Sequence, residues 1–152
     1  MRILLATDGS EYSQAAVKMI IAQAQSKEIE LRVLYVVEPI RTYISADLIP
    51  HYVPHVEEIE EDRKRQAQQL VERIVTQLCK AGFKSSGLVE AGDPKSKIIE
   101  QAAEWPADLI VLGSHGWKGL NRFLLGSVSE AVFRHAPCSV QVVRKPSWQA
   151  RV

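Results

Sequence analysis

The stretch DLIVLGSHGWKGLNRFLLGSVSE, residues 108–130, changes character twice. Asp108 to Leu112 is a short apolar run, Gly113 to Gly126 is a glycine-punctuated loop, and Ser127 begins a helical pattern. An apolar run that does not alternate with polar residues is a strand buried on both faces, and such strands belong to parallel sheets covered by helices. The flanks agree. Upstream, Asp93-Pro94 supplies a cap and a first-turn proline to a helix carrying Ile98, Ile99 and Ala102. Downstream, a helix from about Ser127 to Arg134 breaks at Ala136-Pro137, and a strand runs from Ser139 to Val143.

The same alternation extends to the beginning of the chain. Ile3 to Ala6 reads as a buried strand, closed by the turn Thr7-Asp8-Gly9-Ser10. Ser10 or Ser13 can cap the helix that follows, whose Ala16, Ile20 and Ala24 recur on one face. Leu31 to Val37 is a second strand, stopped by Pro39. From Glu38 to about Val56, where Pro39, Pro50 and Pro54 fall, the pattern predicts a long variable loop or a partly helical excursion. A long helix is then expected from Glu57 to about Lys80, with Ala67, Leu70, Val71, Ile74, Val75 and Leu78 facing inward. Its charge run reads as a solvated face with Glu60–Lys64 and Glu61–Arg65 pairs. Gly82 ends it, and a third strand is expected from about Phe83 to Glu90.

Strands apolar along their whole length, alternating with helices, predict an α/β fold. Its core is a doubly wound, Rossmann-like five-stranded parallel sheet of order 3-2-1-4-5 with helices on both faces and right-handed crossovers. Ligands of such sheets bind where the winding reverses, here between the first and fourth strands. That places Thr7-Asp8-Gly9-Ser10 beside the start of the Gly113–Gly126 loop.

The length of 152 residues suits a single domain, 1–152, with a core large enough to need no staple. Hydrophobic residues at 46% and charged residues at 24% exclude a disordered or fibrous chain. A net charge of +1 argues against nucleic acid or an anionic membrane as partner. No apolar run is long enough to span a membrane, and the one at Ile3–Ala6 is too short for a secretory signal. Cys79 and Cys138 read as small buried core residues suited to a reducing compartment. The expected location is the cytoplasm.

Chemistry concentrates in the glycine-bearing loop. Gly113 and Gly116 can take positive φ and admit a ligand close to the backbone. Gly126 and Ser127 stand at a helix N-terminus that favours an anion, and the Ser127 and Ser129 hydroxyls add donors, so a phosphate chain fits. Nine residues separate Gly116 from Gly126 and no lysine follows, so this is neither a Walker-type P-loop nor the dinucleotide GxGxxG. Spacing alone leaves a second reading open, in which the glycines only make turns and Ser127 only caps a helix. Gly126→Val is expected to block phosphate approach sterically while leaving the fold largely intact. His115 reads as a solvated or structural residue, while Lys118 and Arg122 could supplement the phosphate site. His51 and His55 have metal-ligand spacing, but Pro54 between them and the lack of a third ligand argue against a metal site. Trp105 is expected to cap the core, and Trp117 could contact a partner.

Gly113, two residues, Gly116, nine residues, then Gly126-Ser127 resembles the nucleotide-binding signature of the universal stress protein family. Ile3 to Glu11 is similar to that family's opening strand and turn, and Ala136-Pro137-Cys138-Ser139-Val140 to its closing passage. The resemblance spans essentially the whole chain, least informatively near residues 40–55. It implies a cytoplasmic, ATP-binding stress-response protein that forms a homodimer. Asp8 would contact ribose or metal-bound phosphates, and Val36 would meet adenine through its backbone. Ala6, where many nucleotide-binding members have proline, would line the site with Leu112 and Gly113. His115, Gly116, Gly126, Ser127, Val128 and Ser129 would hold the phosphates, with Mg²⁺ as the accompanying cation. No catalytic residue is assigned, because hydrolysis needs a placed water and electrostatic stabilisation of the transferring phosphoryl group, and the motif shows no clear base and Lys/Arg clamp. The alternatives are a slow ATP hydrolase and a protein-interaction dimer with a vestigial site; intact glycines argue against the latter. The dimer is expected through strand 139–143, which as a sheet edge would leave backbone groups open.

Overall fold

The computed structural model describes residues 1–23, 28–40, 49–117 and 124–145, the side chains of 49–55 excepted. Its elements run β1 (Arg2–Ala6), α1 (Glu11–Gln23), β2 (Glu30–Val37), α2 (Ile49–Lys80), β3 (Lys84–Ala91), α3 (Pro94–Glu104), β4 (Leu109–Gly113), α4 (Ser127–His135) and β5 (Ser139–Val143). The strands form one parallel five-stranded sheet of order β3-β2-β1-β4-β5, as expected.

Strand periodicity sorts the core into two layers. Ile3, Leu5, Leu31 and Val33 turn toward α1 and α2, meeting Ala16, Val17 and Ile20 on one helix and Val71, Ile74 and Leu78 on the other. Their neighbours Leu4, Ala6, Leu34, Ile110 and Leu112 turn the other way, toward Ile98 and Ala102 of α3 and Val132 of α4. Helices thus cover both faces, and the winding reverses between β1 and β4. Leu4, Leu5, Leu31 and Ile110 are fully buried in this arrangement.

Several local expectations need correction. The helix α2 begins at Ile49, so the excursion is helical from there on and both Pro50 and Pro54 lie inside the helix. Pro50 sits in the first turn, where backbone N–H groups have no intrahelical acceptor in any case. The edge strand β3 is not apolar throughout, because its Lys84-Ser85-Ser86-Gly87 half is largely exposed. Glu60 accepts a hydrogen bond from Ile40 N (3.1 Å) instead of pairing with Lys64, and Arg65 pairs with Asp62. Trp105 does pack on the α3/α4 core layer, and the guanidinium carbons of Arg32 and Arg2 lie 4.5 and 5.7 Å from its ring centroid.

Cys79 is exposed and Cys138 half-buried, so neither is the fully buried residue expected. Cys79 follows Leu78, whose side chain completes the inward stripe of α2, and one residue along a helix turns the next side chain about 100° away. Burial pushes the Cys138 thiol above its ordinary range, with Asp108 adding to the effect. A thiol-reagent pulse at neutral pH should therefore label Cys79 rapidly and Cys138 markedly more slowly, because the thiolate is the reactive form. Mass mapping of the labelled peptides checks the order.

Candidate functional site

At the carboxyl ends of β1, β2 and β4 lies an open crevice of about 800 Å³, within the size range of small-molecule sites. The residues that the resemblance assigned to the nucleotide line it: Ala6 and Asp8 from the β1 end, Val36 from β2, Leu112 and Gly113 from β4, His115 and Gly116 from the loop, and Gly126, Ser127, Val128 and Ser129 from the head of α4. Lys118 and Arg122, and the side chains of His51 and His55, lie outside the described residues.

The helix N-termini at the crevice differ in one respect. The Ser10 hydroxyl caps α1, accepting from Ser13 N (3.3 Å), and Asp93 caps α3, accepting from Ser96 N (3.0 Å). The cap of α4 is Gly126, which has no side chain to offer, so no side-chain hydrogen bond closes that end. The first N–H groups of α4, from Ser127, Val128 and Ser129, have no acceptor within the helix, and the helix dipole adds partial positive charge there. An anion is the natural partner for such an end.

The glycines of this loop serve packing, which differs from the expectation. Positive φ occurs, among the described residues, at Gly9, Gly82 and Gly92, and at neither Gly113 nor Gly116. A Cβ on Gly113 would lie 2.7 Å from the Tyr12 carbonyl carbon and 2.8 Å from Ser13 N, so this glycine lets α1 approach β4. On Gly116 it would lie 2.8 Å from an Asp8 carboxylate oxygen. At Gly126 the nearest atoms are the Ser114 carbonyl oxygen (3.2 Å) and His115 Cα (3.3 Å). Gly113 is therefore explained by the fold itself and carries no argument against a vestigial site, whereas the atom facing Gly116 is the tip of a side chain that can turn away.

Polar groups tie the loop together. Gly126 N donates to the Ser114 carbonyl (2.8 Å), and Ser114 N donates to that of Val143 (2.9 Å). The buried Ser129 hydroxyl donates to the carbonyls of Ser114 (3.0 Å) and Gly126 (2.9 Å). Its proton is spent inside the protein, so Ser129 offers a ligand its backbone N–H and not the expected hydroxyl donor. His115 is held structurally, with Nδ1 3.0 Å from Ser114 Oγ and its ring centroid 5.1 Å from that of Tyr12. The indole N–H of Trp117 donates to the Asp8 carbonyl (2.8 Å), pinning the loop across the β1 turn. The Asp8 carboxylate accepts from Ser10 N (2.9 Å) and lines the crevice.

The carboxyl end of β2 also presents backbone groups to the crevice. Thr7 N donates to the Leu34 carbonyl (2.9 Å), and Gly92 N to that of Val37 (3.0 Å), so even-numbered residues here face β1 and odd-numbered ones β3. Val36 thus turns its N–H and C=O toward β1, past Ala6, where β1 has already left the sheet.

The structure also lines the crevice with Tyr35, Glu38, Arg63, Asp93 and Lys95, which were not nominated. Glu38 follows directly on the carboxyl end of β2 and Asp93 lies two residues past that of β3, so the rule that placed the crevice could have found them. Burial raises the Tyr35 phenol above its ordinary value; Asp8 and Glu38 push the same way and Arg63 opposes. It stays a neutral hydroxyl at physiological pH. Among the described residues no cluster of carboxylate, histidine or cysteine groups large enough to hold a metal unaided occurs.

The model of the universal stress protein family matches residues 1–144. A universal stress protein of Synechocystis is 32% identical over 149 residues, covering 94% of this chain and 97% of its own. Among solved structures, that of the hypothetical protein MJ0577 superimposes with a TM-score of 0.83 at 29% identity, covering 96% of both chains. UspA from Lactobacillus plantarum gives 0.81 at 29% identity, covering 95% of this chain and 97% of its own. A universal stress protein of Arabidopsis thaliana with AMP bound shares the fold, with a TM-score of 0.71 at 18% identity over 98% of this chain and 94% of its own.

Proposed function

The chain belongs to the universal stress protein family, and from that premise we propose that it is an ATP-binding regulatory protein of the stress response, holding the nucleotide with Mg²⁺ in the β1/β4 crevice. The observation that carries this reading is the uncapped head of α4, open to a crevice at which α1 and α3 are both capped. Phosphate oxygens accept there from the N–H groups of Ser127, Val128 and Ser129 and from the Ser127 hydroxyl, beside His115 and Gly116. Adenine presents an acceptor, N1, next to a donor, its amino group, and Val36 N–H and C=O offer the complementary pair. Ala6, Leu112 and Gly113 line the nucleoside between these ends. That a relative of the same fold has been solved with AMP agrees with this choice of ligand.

Charge calls for the cation. The described crevice carries the carboxylates of Asp8, Glu38 and Asp93 against the cations of Arg63 and Lys95, which does not neutralise a triphosphate. Mg²⁺ commonly uses one or two carboxylates, the ligand's phosphates and water, and Asp8 fits that role without a preformed protein cage. When bound, the ion screens Asp8 from the phosphates.

Denaturing the purified protein and identifying any released nucleotide, then titrating ATP with and without Mg²⁺, tests the proposal. Wild type should bind ATP more tightly with Mg²⁺ by on the order of tenfold, about 1.4 kcal/mol; Asp8→Asn should lose that dependence. A protein that neither retains nucleotide nor binds ATP or ADP overturns the reading. Multiple turnovers abolished by Asp8→Ala would make the protein a slow hydrolase instead. The proposed assembly is a cytoplasmic homodimer through β5, which pairs with β4 on one side only among the described strands and has an open backbone edge on the other.

A further inference from the structure

The inward stripe of α2 runs Leu78, Ile74, Val71, Ala67, all buried. Continued at the same helical spacing it reaches Arg63 and Glu60, so the stripe turns polar where the helix leaves the core. Both side chains grip the chain leaving β2. Arg63 Nη1 donates to the Glu38 carbonyl (2.9 Å), and Glu60 Oε1 accepts from Ile40 N (3.1 Å). Arg63 also lines the crevice, on the side of Tyr35, Val36 and Glu38. The charge run that reads as a solvated face therefore contains a clasp on the wall of the site.

We propose that Arg63 is a positioning residue for the nucleobase: by holding the Glu38 carbonyl it fixes the chain two residues beyond Val36, whose backbone N–H and C=O form the base-reading edge. The inference rests on the nucleotide-binding reading above. The strand β1 has left the sheet at this point, so nothing from β1 restrains the Val36 edge; β3 holds the strand on its other side, the α3/α4 layer packs on the Val36 side chain, and α2 holds the chain just beyond it. A hydrogen bond from a charged donor is strong enough to hold such a segment in one place. The phosphate end, built on α4, does not depend on it.

Titration calorimetry with AMP, ADP and ATP on wild type, Arg63→Met and Arg63→Lys distinguishes the possibilities. Methionine and lysine are both good helix formers, so α2 is kept, and far-UV circular dichroism checks this. Arg63→Met should lose affinity on the order of tenfold, by the same factor for all three nucleotides, because only the base end is disturbed. Arg63→Lys keeps an N–H donor for the Glu38 carbonyl and should recover most of the loss. A loss that grows from AMP to ATP would make Arg63 a phosphate ligand and overturn the proposal. So would unchanged affinity in Arg63→Met. If wild type binds none of the three, the nucleotide-binding reading fails, and this inference with it.

Discussion

Ser127→Pro should weaken ATP binding by on the order of a hundredfold while leaving stability within about 1 kcal/mol of wild type. Ser127 is the first residue of α4, the position where proline is best tolerated, because its ring presets the helical φ and the missing N–H has no intrahelical acceptor. The preceding residue, Gly126, already has φ −64° and ψ 153°, the extended conformation that a following proline demands. What the substitution removes is a backbone N–H and a hydroxyl on a residue that lines the crevice. Hydrogen bonds to a charged group contribute about 1.5–3 kcal/mol each, and about 1.4 kcal/mol is tenfold, so losing both gives at least the stated effect. Ser127→Ala, which removes only the hydroxyl, should weaken binding by about tenfold. ATP binding unchanged in Ser127→Pro would show that the phosphates do not meet α4.

This substitution is cleaner than Gly126→Val, which the sequence alone recommends. A side chain at Gly126 begins 3.2 Å from the Ser114 carbonyl oxygen, which also accepts from Gly126 N and from Ser129 Oγ. Valine would push on the node that ties the loop to α4, so affinity and stability would fall together. The loop is then strained as well as blocked, and a lost affinity would not identify where the phosphates sit.

The sheet order and the crevice were legible because each rests on a signal that survives burial. Apolar runs of strand length, Asp93-Pro94 at a helix head and Gly82 at a helix end mark boundaries that packing does not move. The beginning of α2 was hidden because Pro50 and Pro54 look like breakers, although a first-turn proline such as Pro50 costs the helix no hydrogen bond. Arg63 and Glu60 were hidden by their company in a charged run, yet their phase on the inward stripe was present in the sequence. The glycines illustrate a different limit. Their spacing located the site, but spacing cannot tell whether the atom that needs the space belongs to a ligand or to Tyr12 and Asp8 of the same chain.

That distinction makes Gly113→Ala a strongly damaging single-methyl change, since the atoms it would meet are backbone. The added Cβ would lie 2.7 Å from the Tyr12 carbonyl carbon and 2.8 Å from Ser13 N, both backbone atoms of the first turn of α1. Backbone cannot rotate away as a side-chain tip can, so either α1 or the end of β4 must move. The movement breaks a packed corner. Thr7 Oγ1 donates to Ser13 Oγ (3.1 Å), and Ser13 N is bonded to the Ser10 cap, so a displaced Ser13 disturbs the turn that carries Asp8. Overpacking of this kind typically costs about 1–3 kcal/mol, and contact with backbone on two atoms places Gly113→Ala at the upper end, about 3 kcal/mol. In a chain of this size that corresponds to a fall in Tm of roughly 6–12 °C. Gly82→Ala is the fitting comparison, since its φ of +97° is unfavourable for alanine but a Cβ there meets nothing within 4 Å. Strain alone should cost it about 1 kcal/mol. Thermal melts of the two variants, with and without ATP, separate packing from ligand effects. If Gly113→Ala melted no lower than Gly82→Ala, the approach of α1 to β4 would be looser than these distances require, and the loop glycine would again need a ligand to explain it.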